Sequence, residues 1–106
     1  SLLDRFTASA LVSLLTVMWN DPGVRPEVLA SLPVAGRSGT LVDRMRGTAA
    51  AGIVLAKTGT TDNASALSGF VGDRYVFSIL QNGWPISWSW ARLAQDRFAA
   101  VLAASQ

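Results

Sequence analysis

The spacing of apolar residues changes near Gly52 from a helical to a strand pattern and returns to a helical pattern near Ser87, and these changes most constrain the fold. Before Gly52, apolar residues recur every three or four positions, which is typical of helices. After it, three apolar runs rich in β-branched and aromatic residues occupy 53–60, 65–71 and 74–81. The pair Gly72-Asp73 joins the second run to the third and is typical of a tight hairpin. The sequence therefore predicts a three-stranded antiparallel meander.

Helices are predicted on either side of the meander. The first covers 8–19, has Thr7 as its N-cap, and carries on one face the apolar side chains of Leu11, Leu14, Leu15 and Met18. A single helical turn is expected near 27–30. A capping-box pattern that opens at Thr40 predicts a short helix ending at Gly47.

The expected fold class is α+β, with a three-stranded antiparallel meander flanked by helices in one segment, 1–106. The segment is helical over 1–50, contains the meander over 53–82 and ends in a helix over 87–104. Because the strands carry so much apolar surface, helices are expected on both faces of the sheet. Trp84, Trp88 and Trp90 are expected to anchor the last helix, whereas Arg44 and Arg46 are expected on a solvated helix face.

Composition excludes several kinds of site. Nine Lys and Arg residues face seven Asp and Glu, giving a net charge of +2, and they are scattered along the chain. Nucleic-acid binding needs a concentrated positive patch, so it is not expected. The absence of both Cys and His removes disulfides, zinc sites and the commonest general base, and no metal or cofactor is expected.

Two stretches bear on membrane insertion and secretion. The uncharged stretch 75–91 is interrupted by Pro85 and is too short to span a bilayer, so no transmembrane segment is expected. Charged residues at Asp4 and Arg5 come before any apolar run, which argues against a signal peptide at this start. The chain is expected to be a segment of a longer protein.

The tetrapeptide Lys57-Thr58-Gly59-Thr60 is the strongest candidate site. Lys57 is the only lysine in the chain, and it lies at the end of a strand predicted to be buried. An ammonium is a compact charge with three donors, and two hydroxyls spaced two apart on a strand lie on the same side. These groups suit an anionic, peptide-like ligand bound along a sheet edge. The structural alternative is a solvated corner between strand and turn.

The surrounding sequence resembles a known family. Four segments of this sequence carry the resemblance, namely 32–41, 44–48, Ala56-Lys-Thr-Gly-Thr60 and Ser65-Ala-Leu-Ser-Gly-Phe-Val71. In this order and spacing they resemble the C-terminal part of the D-Ala-D-Ala carboxypeptidase/endopeptidase family also called penicillin-binding protein 4. Lys-Thr-Gly is one element of the motif set of penicillin-binding proteins and their lactamase relatives. The resemblance implies the penicillin-binding/β-lactamase-like transpeptidase fold and an extracytoplasmic location.

The resemblance also implies roles for the motif residues. Lys57 would support carboxylate binding and the proton network around a catalytic serine, and the hydroxyls of Thr58 and Thr60 would bind the terminal carboxylate of D-Ala-D-Ala. The backbone N–H of Thr60 would be an oxyanion-hole donor, so Lys57 and Thr60 are the catalytic candidates. The expected ligands are D-Ala-D-Ala peptides of peptidoglycan and β-lactams.

The chain departs from the family pattern in two places. It contains neither Ser-x-x-Lys nor Ser-x-Asn, so the nucleophile is expected in the missing N-terminal part of the same protein. That part is also the expected partner of this chain. Without it, the chain should be inactive. The turn 61–64 also lacks the usual hydrophobic residue and glycine. Two alternatives stay open, namely a non-catalytic binding or assembly module of the same fold and a β-lactamase.

Overall fold

The computed structural model describes residues 7–61, 64–83 and 87–105. In chain order it contains helix α1 (Ala8–Asn20), helix α2 (Arg25–Ser31), a 3₁₀ turn (Gly39–Leu41), strands β1 (Val54–Thr61), β2 (Ala64–Val71) and β3 (Tyr75–Asn82), and helix α3 (Trp88–Ala104). The sheet order β1-β2-β3 is antiparallel throughout. The predicted α+β class and the three-stranded meander are confirmed.

The two faces of the sheet are covered by different helices. On β2, Phe70 lies on one face and contacts Trp19 of α1, with ring centroids 5.2 Å apart. Leu67 lies on the other face and belongs to a core that includes Ala99 of α3. Since side chains alternate along a strand, α1 and α3 cover opposite faces, as the sequence predicted.

Helix α1 begins as predicted, because the Thr7 hydroxyl accepts a hydrogen bond from the N–H of Ala10. The burial of its apolar face is less complete than expected. Leu15 is buried, but the side chain of Leu14 is 49% exposed. No helix in the part of the chain described here is both long and apolar enough to cross a bilayer.

Helix α3 packs against the sheet through small residues rather than through the tryptophans expected to anchor it. Its buried positions are Ala91, Gln95, Ala99 and Ala103, a stripe of mostly small residues at four-residue spacing. Trp90 is 67% exposed, so the prediction that it anchors this helix is wrong, and Trp88 is also exposed. Trp84 lies outside the described residues. Small side chains let the helix lie close to the sheet, and this leaves its larger apolar side chains on the outside.

The helix predicted from Thr40 to Gly47 is absent from the described structure. Only the 3₁₀ turn at Gly39–Leu41 forms, and irregular turns follow it. Met45 has a left-handed backbone (φ 63°), which a right-handed helix cannot contain, although its side chain is buried. The capping-box pattern is therefore overridden by the burial of Leu41 and Met45.

Gly69 sets the distance between β1 and β2. It is paired with Ala56, and a Cβ atom at this position would lie 2.6 Å from the Ala56 Cα and closer still to the carbonyl oxygen of Leu55. Only glycine fits this close approach between two backbones. The contact fixes β1 immediately before Lys57.

Candidate functional site

The outer edge of β1 is covered over its first half and open over its second. The Ala35 N–H donates to the Val54 carbonyl (2.9 Å), and the Ala56 N–H donates to the Pro33 carbonyl (3.0 Å). The backbone groups of Val54 and Ala56 therefore point away from β2. Since this direction alternates along a strand, those of Thr58 and Thr60 point the same way.

No described strand lies beyond this second half of β1. The open edge thus begins at Lys57, the first residue of the candidate motif, and offers the backbone groups of Thr58 and Thr60. An extended peptide can pair with such an edge. The structure therefore places the tetrapeptide where a peptide ligand could add to the sheet.

Lys57 and the two threonines lie on opposite faces of the sheet. Lys57 pairs with Ser68, and Thr58 pairs with Leu67, which belongs to the core on the α3 side. Lys57 accordingly lines a small apolar depression of about 160 Å³ together with leucines of α1. Its Nζ donates a hydrogen bond to the Thr58 carbonyl oxygen, 2.7 Å away. Because that carbonyl points outward, the ammonium reaches the open edge from the α1 side.

Thr58 and Thr60 line a groove of about 440 Å³ on the other side, called the threonine groove below. Thr40 and Ser65 add two further hydroxyl groups to it. The Thr58 hydroxyl donates to the Thr40 hydroxyl across 3.2 Å. The charged residues that line the groove are Asp43, Arg44 and Arg92. Its size is in the range of small-ligand pockets, and all of its lining residues except Ala66 carry polar side chains.

A polar cluster supports this groove from below. Gln95 is fully buried, and its side-chain N–H₂ donates to the Ser65 hydroxyl (2.9 Å) and to Gln81 Oε1 (3.0 Å). Arg44 donates to Gln95 Oε1 (3.1 Å) and forms an ion pair of 2.7 Å with Asp96. Ser65 is the register partner of Thr60, so the cluster ties β2 opposite Thr60 to α3.

Sequence reasoning missed this cluster. The prediction that Arg44 lies on a solvated helix face is wrong, because its side chain is only 14% exposed and is bonded to α3. Arg46 is exposed, as expected, and pairs with Asp43 at 3.4 Å. One feature of the sequence could have indicated the cluster. Gln95 falls in a series of positions four residues apart whose other members are alanines, so it lies on the same face of α3 as they do.

The four residues of the predicted motif differ in exposure. Lys57 and Thr60 are exposed, and Thr58 and Gly59 are half-buried. The structure brings the hydroxyls of Thr58 and Thr60 to one groove and the Lys57 ammonium to the same edge from the opposite face. Their roles in binding and catalysis stay predictions. Asp62 and Asn63, which follow the motif, lie outside the described residues.

Comparison with known proteins identifies the family. The chain is 49% identical over 85 residues to a D-alanyl-D-alanine carboxypeptidase of Actinomadura sp. (strain R39), covering 73% of this chain and 16% of that protein. It is 40% identical over 89 residues to Carboxypeptidase DacB of Mycolicibacterium smegmatis, covering 76% of this chain and 18% of that protein. The chain thus spans about a sixth of the length of these relatives. The family model for the D-Ala-D-Ala carboxypeptidase 3 (S13) family matches residues 1–105, and the chain belongs to that family.

Proposed function

We propose that this chain is the substrate-binding segment of a serine D-Ala-D-Ala carboxypeptidase/endopeptidase that acts on peptidoglycan stem peptides. The observation that carries the proposal is the open edge of β1, which begins at Lys57 and presents the backbone groups of Thr58 and Thr60. Its family membership and the names of its relatives support the same activity. The substrate would lie along this edge as an added strand, within the penicillin-binding/β-lactamase-like fold.

Each motif residue has a role in this proposal. The hydroxyls of Thr58 and Thr60 bind the terminal carboxylate of D-Ala-D-Ala from the threonine groove. The Thr60 N–H donates to the carbonyl oxygen under attack, where negative charge develops in the transition state. Lys57, whose ammonium lies at the edge beside the Thr58 carbonyl, contributes positive charge and a proton donor next to the reacting groups.

The nucleophile belongs to the rest of the protein in this proposal, because this sequence has no Ser-x-x-Lys. A serine of the N-terminal part attacks the carbonyl of the peptide bond between the two D-Ala residues. The terminal D-Ala then leaves with a proton, and water hydrolyses the resulting acyl-enzyme. β-Lactams would acylate the same serine. The proposed location is extracytoplasmic, where peptidoglycan lies.

Two surfaces support a role for this chain as one part of a larger domain. Within the described sheet, β3 has no partner on its outer edge, and no proline or lysine interrupts it. Helix α3 exposes Trp90, Leu93, Phe98 and Val101 by 46–68%. Exposed apolar surface of this kind usually marks an interface. We propose the N-terminal part of the same protein as the partner that covers both.

The test uses the full-length protein and two reagents. With a peptide that ends in D-Ala-D-Ala, the proposal predicts release of free D-Ala, and with a fluorescent penicillin it predicts stable covalent labelling. Absence of both would favour a non-catalytic binding or assembly module. Rapid hydrolysis of the penicillin without D-Ala release would favour a β-lactamase.

A further inference from the structure

The threonine groove contains a cation that the family motif does not include. Arg92 lies in the second turn of α3, and its side chain lines the groove together with Thr58 and Thr60. It is distant from these threonines in sequence, and only the packing of α3 across the sheet brings it to them. The groove therefore combines hydroxyl groups from β1 with a guanidinium from α3.

The charges around the groove leave Arg92 as the cation available to a ligand. Arg44 is neutralised by Asp96, to which it donates three hydrogen bonds, two from Nε and one from Nη2. Asp43 also lines the groove, and it pairs with Arg46. Within the described part of the chain, Arg92 forms no ion pair. Pairing these charges leaves one net positive charge on the groove, carried by Arg92.

The backbone of Arg92 is held firmly although its side chain is exposed. The preceding residue, Ala91, is 2% exposed, and Gln95 one turn later is fully buried and bonded to both β2 and β3. A fixed backbone reduces the entropy lost when the guanidinium orders on a ligand. A planar guanidinium also matches the two oxygens of a carboxylate.

From this arrangement we infer that Arg92 is a substrate-binding residue that pairs with the terminal carboxylate of a peptide held on the edge of β1. The inference rests on the proposed function and adds a specificity determinant to it. Thr58 and Thr60 hydroxyls alone can accept an uncharged peptide end as well as a carboxylate, since a hydroxyl both donates and accepts. Arg92 has only donors, and it makes the groove selective for the free acid.

The test compares two peptides in the full-length protein, one ending in D-Ala-D-Ala as the free acid and the other as its C-terminal amide. In wild type, kcat/KM should be higher for the free acid. In Arg92→Gln it should fall about 10- to 100-fold for the free acid and change little for the amide, since a charge-assisted hydrogen bond is lost only with the former. Arg92→Lys should recover part of the preference.

Arg97→Gln is the matched control, because Arg97 is an exposed arginine of α3 that does not line the groove. It should keep the wild-type preference for the free acid. The inference is overturned if Arg92→Gln also keeps that preference, or if its kcat/KM falls equally for both peptides, as a merely structural role would require. If wild type hydrolyses neither peptide, the proposed function fails and this inference fails with it.

Discussion

Replacing Gly69 by alanine should damage both stability and the candidate site. The new Cβ would lie 2.6 Å from the Ala56 Cα and closer still to the Leu55 carbonyl oxygen, whereas ordinary contact begins near 3.4 Å, so β1 and β2 must separate by at least about 0.8 Å. The atoms in the way belong to the backbones of Leu55 and Ala56, which cannot rotate aside as a side chain can. Gly69 itself does not have a left-handed backbone, so the effect comes from the contact alone.

The expected cost follows from two effects. Overpacking a well-packed interior costs about 1–3 kcal/mol. Separation of the strands also weakens the hydrogen bonds around the Ala56–Gly69 pair, at about 1 kcal/mol for each bond lost. The free energy of unfolding should therefore fall by about 2–4 kcal/mol. Because Ala56 precedes Lys57, the rate of acylation by penicillin should fall as well.

Denaturant unfolding and penicillin labelling of the full-length protein would measure both effects. Gly23→Ala is the matched control, since its Cβ would meet only Asp21 Oδ1, at an ordinary 3.4 Å, and Gly23 lies in the turn between α1 and α2. The control should retain wild-type stability and labelling. If Gly69→Ala were as stable as the control, the close approach of β1 to β2 described here would be wrong.

Three further predictions follow from the described contacts. Gln95→Leu should lower the free energy of unfolding by about 2–3 kcal/mol in a denaturant titration, because the buried Ser65 hydroxyl and Arg44 lose a partner. Wild-type stability of this variant would show that the hydrogen bonds of Gln95 do not stabilise the fold. A double-mutant cycle of Arg44→Ala and Asp96→Ala should give a coupling above about 1 kcal/mol, since the pair is largely buried; additive effects would contradict it. This chain expressed alone should bind no fluorescent penicillin covalently and should self-associate in light scattering through Tyr75–Asn82, whereas a monomer with protected amides throughout that strand would refute this.

The strands could be predicted from sequence because their limits are set locally. Each predicted strand agrees with the structure to within one residue at each end, and the Gly72-Asp73 turn determines where the second strand ends and the third begins. The N-terminus of α1 was predictable for the same reason, because Thr7 caps it through a contact three residues away. The turn at Gly72 and the cap at Thr7 could be predicted from a single sequence because each depends on residues close together in the chain.

The parts that failed depend on contacts between distant residues. The pattern of α3 shows where apolar residues lie, but the sheet selects the narrow stripe at Ala91, Gln95 and Ala99. Arg44 bonds to residues 51 and 52 positions away, and no local pattern reveals this. Lys57 could be singled out as a candidate because it is the only lysine in the sequence, and its role stays a prediction. That its side chain lies on the opposite face from Thr58 follows from the register with β2, which the sequence does not show.

Lys57 is proposed to act in acylation of the catalytic serine by both substrate and penicillin. The direct measurement is the second-order rate of labelling of the full-length protein by a fluorescent penicillin, for wild type, Lys57→Ala and the control Arg74→Ala in the exposed hairpin. Lys57→Ala should react about 100-fold more slowly, the scale of losing one key electrostatic contact, while its unfolding midpoint stays unchanged because the side chain is exposed. Labelling of Lys57→Ala at the wild-type rate would contradict this role and leave Lys57 as an exposed strand residue with no part in acylation.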